Sequence, residues 1–284
     1  MDSIRPLGSY PEFAAWTGQP RVWGEDAQSE VSFAGDVIDA LAAGLAGHAE
    51  AVSKRLPAKA EAIPVALGCV PWLSSSAIVD ALLAVGHQLV IIDKGSHQRS
   101  ATDRLNEAGA GIIQSWLPGL DEYGPLDVTG EKPVIGPGTM SMPGNRPLGP
   151  VRVVGWRKEK GRGIGRLPPL LHAKVCVLGA AYTWEGEYGG FDDLFLPMRV
   201  WLGSANWTEP STSHIEFGLW SDDEKLAEAA LQFFCDLVRF SEPYDTATAG
   251  PSPELVAADW DDEAFGEYVA EHPDAYDPEG LQLP

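Results

Sequence analysis

Two short apolar runs, 63–70 (IPVALGCV) and 88–93 (QLVIID), flank a segment of helix length, and no other feature constrains the fold as tightly. Runs of this length, rich in Val and Ile and bounded by polar residues or glycine, read as buried strands. Between them, Ser74, Ser75 or Ser76 supplies a cap for a helix running to about Val85, and Gly86 ends it. The pattern then repeats, with a helix over Ser100–Ala108 closed by Gly109 and a third strand over Gly111–Trp116. Strand and helix alternating through short connections predict an α/β fold: an α/β/α sandwich around a mixed, mostly parallel central sheet with right-handed crossovers.

The flanks are less regular. Residues 1–28 are broken by Pro6, Pro11 and Pro20, and 29–55 read as a helix from Val31, Phe33, Val37, Ile38, Leu41 and Leu45. Residues 117–150 are rich in Pro and Gly and read as a loop. Strand character resumes over Val151–Trp156, His172–Leu178, Met198–Gly203 and Ile215–Trp220, with 180–197 as a hairpin excursion. Asp222 is expected to cap a helix over 223–240, and a short helix is expected near 262–270. The expected organisation is an N-terminal helical extension (1–58), one α/β domain (59–243) and an acidic C-terminal tail (244–284).

Charge is distributed unevenly. The net charge of -21 argues against a protein that coats nucleic acid or an anionic membrane over its whole surface. Yet 7 of the 20 Lys and Arg fall within 152–174, while none follows Arg239. The chain is basic beside 172–174 and acidic at its end. No apolar run is long enough to span a bilayer, and the N-terminus lacks the pattern of a secretory signal. Cys69, Cys176 and Cys235 lie in apolar segments and are expected as buried, reduced thiols. A cytoplasmic location without stable membrane association is the expectation.

The chemistry concentrates in His172-Ala173-Lys174 and Gly203-Ser204-Ala205-Asn206. On a strand, residues two apart share a face, so His172 and Lys174 point together. A second strand ending in Ser204 and Asn206 adds two neutral hydrogen-bonding groups. A nucleophilic nitrogen, a localised positive charge and uncharged polar groups suit one phosphate and call for no metal ligand. The basic stretch Arg157, Lys158, Lys160, Arg162 and Arg166 leads into the motif and suits a phosphate backbone.

These residues resemble the HxK…GSxN signature of the phospholipase D superfamily, and the resemblance covers about 60–240 as one α/β repeat of that fold. It implies a phosphodiesterase working through a covalent phosphohistidine on His172, with Lys174, Ser204 and Asn206 around the phosphate, and with no metal and no organic cofactor. It implies that Glu216, in Ile215-Glu216-Phe217-Gly218, accepts the other ring N–H of the histidine. Because the chain carries one motif where two usually meet, it also implies a homodimer that places both His172 side chains across the axis. The chain departs from the family's fuller pattern at Gly179, where an aspartate is usual; Asp192 or Asp193 are candidate replacements.

Single-motif members resemble small nucleases, so DNA hydrolysis ranks first and nucleic acid is the expected partner. A phospholipase D or phosphatidyl transferase, using Leu194-Phe195-Leu196 as an apolar lip, and a non-catalytic scaffold are the alternatives. The acidic tail reads either as a solubilising segment or as a nucleic-acid mimic that occupies the basic site. Trp156, Trp184, Trp201 and Trp207 read as core, with one or two free to stack on bases. His48, His87, His97, His214 and His272 read as structural or solvent-facing. Gly161, Gly163 and Gly165 lack the strand and helix of a dinucleotide loop, and Asp261-Asp262-Glu263 reads as solvated rather than metal-binding.

Overall fold

Alternate residues of the 63–70 run are buried on opposite sides of one strand. Val65, Leu67 and Cys69 join one apolar cluster, and Ala66 and Val70 join another. A strand apolar on both faces must be covered on both, which dictates a three-layer arrangement. The computed structural model describes residues 21–22, 29–33, 35–56, 61–96, 100–126, 129–137, 146–157, 171–185, 191–246 and 248–272. In chain order its strands are β1 (Arg21–Val22), β2 (Ser29–Phe33), β3 (Ile63–Val70), β4 (His87–Asp93), β5 (Ile112–Ile113), β6 (Tyr123–Pro125), β7 (Val134–Ile135), β8 (Pro147–Leu148), β9 (Val151–Val154), β10 (Val175–Glu185), β11 (Phe191–Gly203), β12 (Phe217–Ser221), β13 (Glu242–Pro243), β14 (Leu255–Ala257) and β15 (Asp259–Trp260). Its helices are α1 (Asp36–Ala46), α2 (His48–Arg55), α3 (Ser76–Val85), α4 (Ser100–Ala108), α5 (Glu224–Phe240) and α6 (Asp262–Glu271).

The central sheet has nine strands among the described residues, in the order β1-β2-β12-β11-β10-β3-β4-β9-β13. The α1 residues Val37, Ile38, Leu41 and Leu45 and the apolar side of α3 cover one face. Ala227, Leu231, Phe234, Cys235 and Val238 of α5 cover the other. The sheet is mixed as expected, but it is mostly antiparallel, which corrects the mostly parallel arrangement read from the sequence. Among the described strands of this sheet, only β3–β4 and β4–β9 pair in parallel. The reason is the hairpin β10–β11, whose strands must oppose one another; β3 on one side and β12 with β2 on the other extend it antiparallel.

Several elements differ locally. Residues 29–33 form β2 rather than the start of a helix, because Val31 and Phe33 fit a period of two as well as a helical spacing and β12 provides the partner. The third parallel strand is β9. Ile112–Ile113 pairs instead with β8, and Gln114–Trp116 is a 3-10 turn. Gly111, at φ +66°, turns the chain off the sheet, and a Cβ there would stand 2.3 Å from Leu148 O. Asp223, not Asp222, caps α5, its Oδ1 accepting from Leu226 N at 2.8 Å. Asp222 faces Arg199 at 3.0 Å.

The segment following α5 is fastened to the sheet. Lys94 donates to Glu242 at 2.5 Å with both side chains fully buried. Glu254 bridges Arg152 at 2.9 Å and also pairs with Arg146. β14 pairs with β6 and β15 with β7. Beyond them, α6 buries none of its residues. Among the described residues no helix is long and apolar enough to cross a membrane. The three cysteines are buried free thiols, and burial pushes Cys69 and Cys235 up to about 12 and raises Cys176 as well.

Candidate active site

Three strand ends converge where β3 finishes. Val175, the first residue of β10, pairs with Cys69 near the end of β3 and with Leu202 near the end of β11. Lys174 O accepts from Gly203 N at 3.1 Å, which locks the histidine–lysine segment beside the Gly203–Asn206 turn. Ser204 N donates to Phe217 O at 3.0 Å, and Phe217 N donates back to Ser204 Oγ at 3.0 Å. Apolar strands thus carry polar residues to one sheet edge, and His172, Lys174, Ser204, Asn206 and Glu216 meet there.

His172 is exposed, whereas Lys174 is only 5% exposed. The Lys174 amine donates to His172 O at 2.9 Å and lies 3.2 Å and 3.3 Å from the two ring nitrogens. No carboxylate among the described residues is within ion-pair distance of it. Burial holds the Lys174 amine below the usual lysine range, and the charge of Glu216 partly opposes this. Ser204 Oγ donates to Glu216 Oε2 at 2.5 Å. The other Glu216 oxygen stands 3.8 Å from His214 Nδ1. Glu216 therefore belongs to the site but holds the serine, and no hydrogen bond joins it to His172. Asn206 Oδ1 is buried without a hydrogen-bond partner. The turn holding it is propped by Trp207, whose ring fills the space above Gly68: a Cβ at Gly68 would lie 2.5 Å from it.

Gly179 has a structural explanation. It sits at a bulge between β10 and β11, and a Cβ there would lie 2.4 Å from both Leu196 O and the Phe195 ring. An aspartate does not fit. Buried His48 donates from Nε2 to Gly179 O at 2.7 Å, and burial lowers its pKa. Asp192 and Asp193 pair with Trp184 and Thr183 at the far end of the hairpin. At the strand rise of ~3.3 Å per residue, Thr183, the nearer of the two partners, is about 13 Å of backbone from Gly179, so neither aspartate lies at the position of the missing group.

Of the basic stretch, Arg157 is described, and its N–H donates to Ala249 O at 2.9 Å. Lys158, Lys160, Arg162 and Arg166 lie outside the described residues. Arg152, counted with them in the charge argument, is buried and paired with Glu254 and Ser241. Trp201 and Trp207 are core, Trp156 is partly exposed, and the Trp184 side chain lies outside the described set. The apolar lip shrinks to Leu194, because Phe195 is buried. Trp72 and Phe217, both well exposed, join the Gly203–Trp207 turn through backbone hydrogen bonds and were not singled out from the sequence; a lone aromatic beside a buried strand leaves no pattern by which to find it. Among the described residues no three His, Cys, Asp or Glu side chains cluster as a metal site.

No family model and no curated protein matches the sequence. Among solved structures, the chain is similar to NucT from Helicobacter pylori, at 13% identity and a TM-score of 0.41, over 76% of this chain and 98% of that one. It is similar to the phospholipase D family member Nuc from Salmonella typhimurium, at 12% identity and a TM-score of 0.39, over 77% and 100% of the two chains. It is also similar to polyphosphate kinase from Porphyromonas gingivalis, at 13% identity and a TM-score of 0.37, over 76% of this chain but only 27% of the kinase. The chain itself is an α/β protein with a mixed central sheet, and each of these likenesses is at 13% identity or less.

Proposed function

We propose that this chain is a phosphodiesterase that cleaves nucleic acid, DNA foremost, through a covalent phosphohistidine on His172. One observation carries the reading: an exposed imidazole whose two nitrogens lie 3.2 and 3.3 Å from a buried lysine amine that has no carboxylate within ion-pair distance among the described residues. A ring nitrogen of His172 attacks phosphorus and displaces the leaving oxygen; water then attacks the phosphohistidine and frees the imidazole. Charge gathers on the non-bridging oxygens in both steps. Lys174, desolvated and held in place, stabilises that charge far better than a lysine in water. Asn206 brings an amide with an uncommitted oxygen, and Glu216 fixes the Ser204 hydroxyl by accepting from it.

The leaving oxygen needs a proton. The motif supplies one histidine per chain, so the proposed active form is a C2 homodimer in which the second copy's motif histidine is the acid. The test is cleavage of single- and double-stranded DNA, RNA and bis(p-nitrophenyl) phosphate in EDTA, with His172→Ala alongside. Expected are metal-independent cleavage, its loss by four orders of magnitude or so in the variant, and an acid-labile phosphoprotein trapped by rapid denaturation. Cleavage that survives His172→Ala, or no turnover of any diester, overturns the reading. A fully active monomer by light scattering overturns the dimer.

A further inference from the structure

A cavity of about 310 Å³ lies between the helical pair α1–α2 and the hairpin β10–β11. Ala43, Gly44, Gly47 and Ala51 line it from the helices, and Leu178 and Met198 line it from the hairpin. At ~30 Å³ of liquid per water it has room for roughly ten waters. That is far more than a packing defect, and it reaches the ~300 Å³ at which small-molecule sites begin. No residue of the candidate active site lines it. Leu178 pairs with Arg199 in the hairpin, whereas Val175, beside the active-site turn, pairs with Leu202. The cavity therefore sits ~10 Å further along the same two strands.

Two arginines line the cavity as well, and their contacts fix their head groups at its wall. Arg55, at the end of α2, donates from Nη1 to Met198 O at 3.2 Å. Arg199, the next residue along β11, holds its Nε 3.0 Å from Asp222, which also lines the cavity, and its Nη2 3.3 Å from Glu30. The two charges are balanced differently. Arg199 faces two carboxylates, whereas no carboxylate among the described residues is within ion-pair distance of Arg55. His48 lines the cavity too, but its Nε2 is committed to Gly179 O at 2.7 Å. Burial holds the ring below the usual histidine range, and the charge of Arg199 acts in the same direction. The positive charge of the wall is therefore that of the arginines, and Arg55 keeps N–H donors to spare.

We propose that this cavity binds a small phosphomonoester, with the Arg55 guanidinium on the phosphate. The proposal is independent of the phosphodiesterase reading. A guanidinium presents a planar fork of donors that matches two phosphate oxygens, and it stays charged throughout the pH range of a folded protein. An anion set against Arg55 satisfies donors and a charge that the described residues leave unmatched. A bare phosphate ion fills only part of 310 Å³. The small side chains of Ala43, Gly44, Gly47 and Ala51 leave space for an organic body the size of a pentose, which Leu178 and Met198 would cover on its less polar side. Asp222, already balanced by Arg199, is an acceptor for a sugar hydroxyl.

The test is titration calorimetry of the full chain with ribose 5-phosphate, inorganic phosphate and ribose. It is run on protein carrying His172→Ala and Lys174→Met, which removes competing phosphate binding at the catalytic edge. Arg55→Ala, Arg55→Lys and Ala51→Leu are each added to that background. Lys54→Ala is the control, since Lys54 neighbours Arg55 on α2 but is exposed, pairs with Glu50 and does not line the cavity. Expected is one ribose 5-phosphate per chain, with inorganic phosphate bound more weakly and ribose not bound. Arg55→Ala should weaken ribose 5-phosphate by about tenfold to a hundredfold, the range for one lost hydrogen-bonded charge, and Arg55→Lys by less. Ala51→Leu fills the cavity and leaves every charge in place, so it should weaken the sugar phosphate more than inorganic phosphate. Lys54→Ala should change nothing. Failure of either phosphate compound to bind, affinity that survives Arg55→Ala, or ribose bound as well as its phosphate overturns the proposal. Binding seen with the unsubstituted chain but lost in the His172→Ala and Lys174→Met background also overturns it, because the phosphate would then sit at the catalytic edge.

Discussion

Lys94 and Lys174 are both buried at the same edge of the sheet, each beside the end of a central strand, and they meet opposite fates. Lys94 is fully enclosed and bonded to the carboxylate of Glu242 at 2.5 Å and the carbonyl of Gly250 at 2.9 Å. Lys174 is almost as enclosed, but its neighbours are an imidazole and a carbonyl, and Glu216 acts on it only from a distance. The first charge is consumed by the fold, where it fastens the segment after α5 to β4. The second has no ion-pair partner among the described residues, which costs stability. A buried lysine is therefore informative through its partners, not through its burial.

The largest test of this contrast is Lys94→Met. It leaves the Glu242 carboxylate in the interior without its counter-charge and should lower stability by about 3–5 kcal/mol in urea denaturation. The protein that remains folded should keep its specific activity. Lys174→Met should do the opposite: kcat falls by about 10² to 10³, the cost of one preorganised charge, while the melting temperature holds or rises because a desolvated, unpaired charge has gone. If both variants lose stability alike, the two lysines are alike and the contrast fails.

Gly68→Ala sharpens the comparison from the side of packing. Its Cβ would press on the Trp207 ring that props the Asn206 turn. Overpacking there should cost about 1–3 kcal/mol and should depress activity as well, whereas a change near Lys94 should spare it. The smallest effect expected is on pH dependence. Burial lowers the Lys174 pKa, so its charge is lost on the alkaline side below the ~10.4 of a free lysine. Activity should therefore fall along an alkaline limb in that range. Glu216→Gln removes the opposing charge and should move the limb further down. A limb that stays in place would show that Lys174 does not set it.

Much of the parallel half was legible. β3, α3, β4 and α4 lie where apolar runs, a serine-led helix start and terminal glycines place them, because those signals are carried by neighbouring residues. The antiparallel half was legible as strands but not as a sheet. β2 and β12 are nearly two hundred residues apart in places, as with Ser29 and Ser221, and nothing local marks them as partners. At the site, the motif residues were singled out by their spacing and by a family resemblance; the structure brings His172 against Lys174 and Ser204 against Glu216. The part given to Glu216 was inferred from resemblance, and here its hydrogen bond goes to Ser204 instead. Trp72 escaped because the residue its backbone bonds, Trp207, is distant in the chain and leaves no local signal.

By itself the sequence determined which residues could do chemistry and which segments could be strands or helices, since residue type and short-range periodicity are written along the chain. Only the tertiary structure decided the sheet's direction, the neutralisation of Lys94 by a glutamate 148 residues away, the exclusion of a side chain from Gly179 by Phe195, and the burial of Lys174. Each of these turns on what a distant segment places within a few ångströms, and that proximity exists only once the chain has closed on itself.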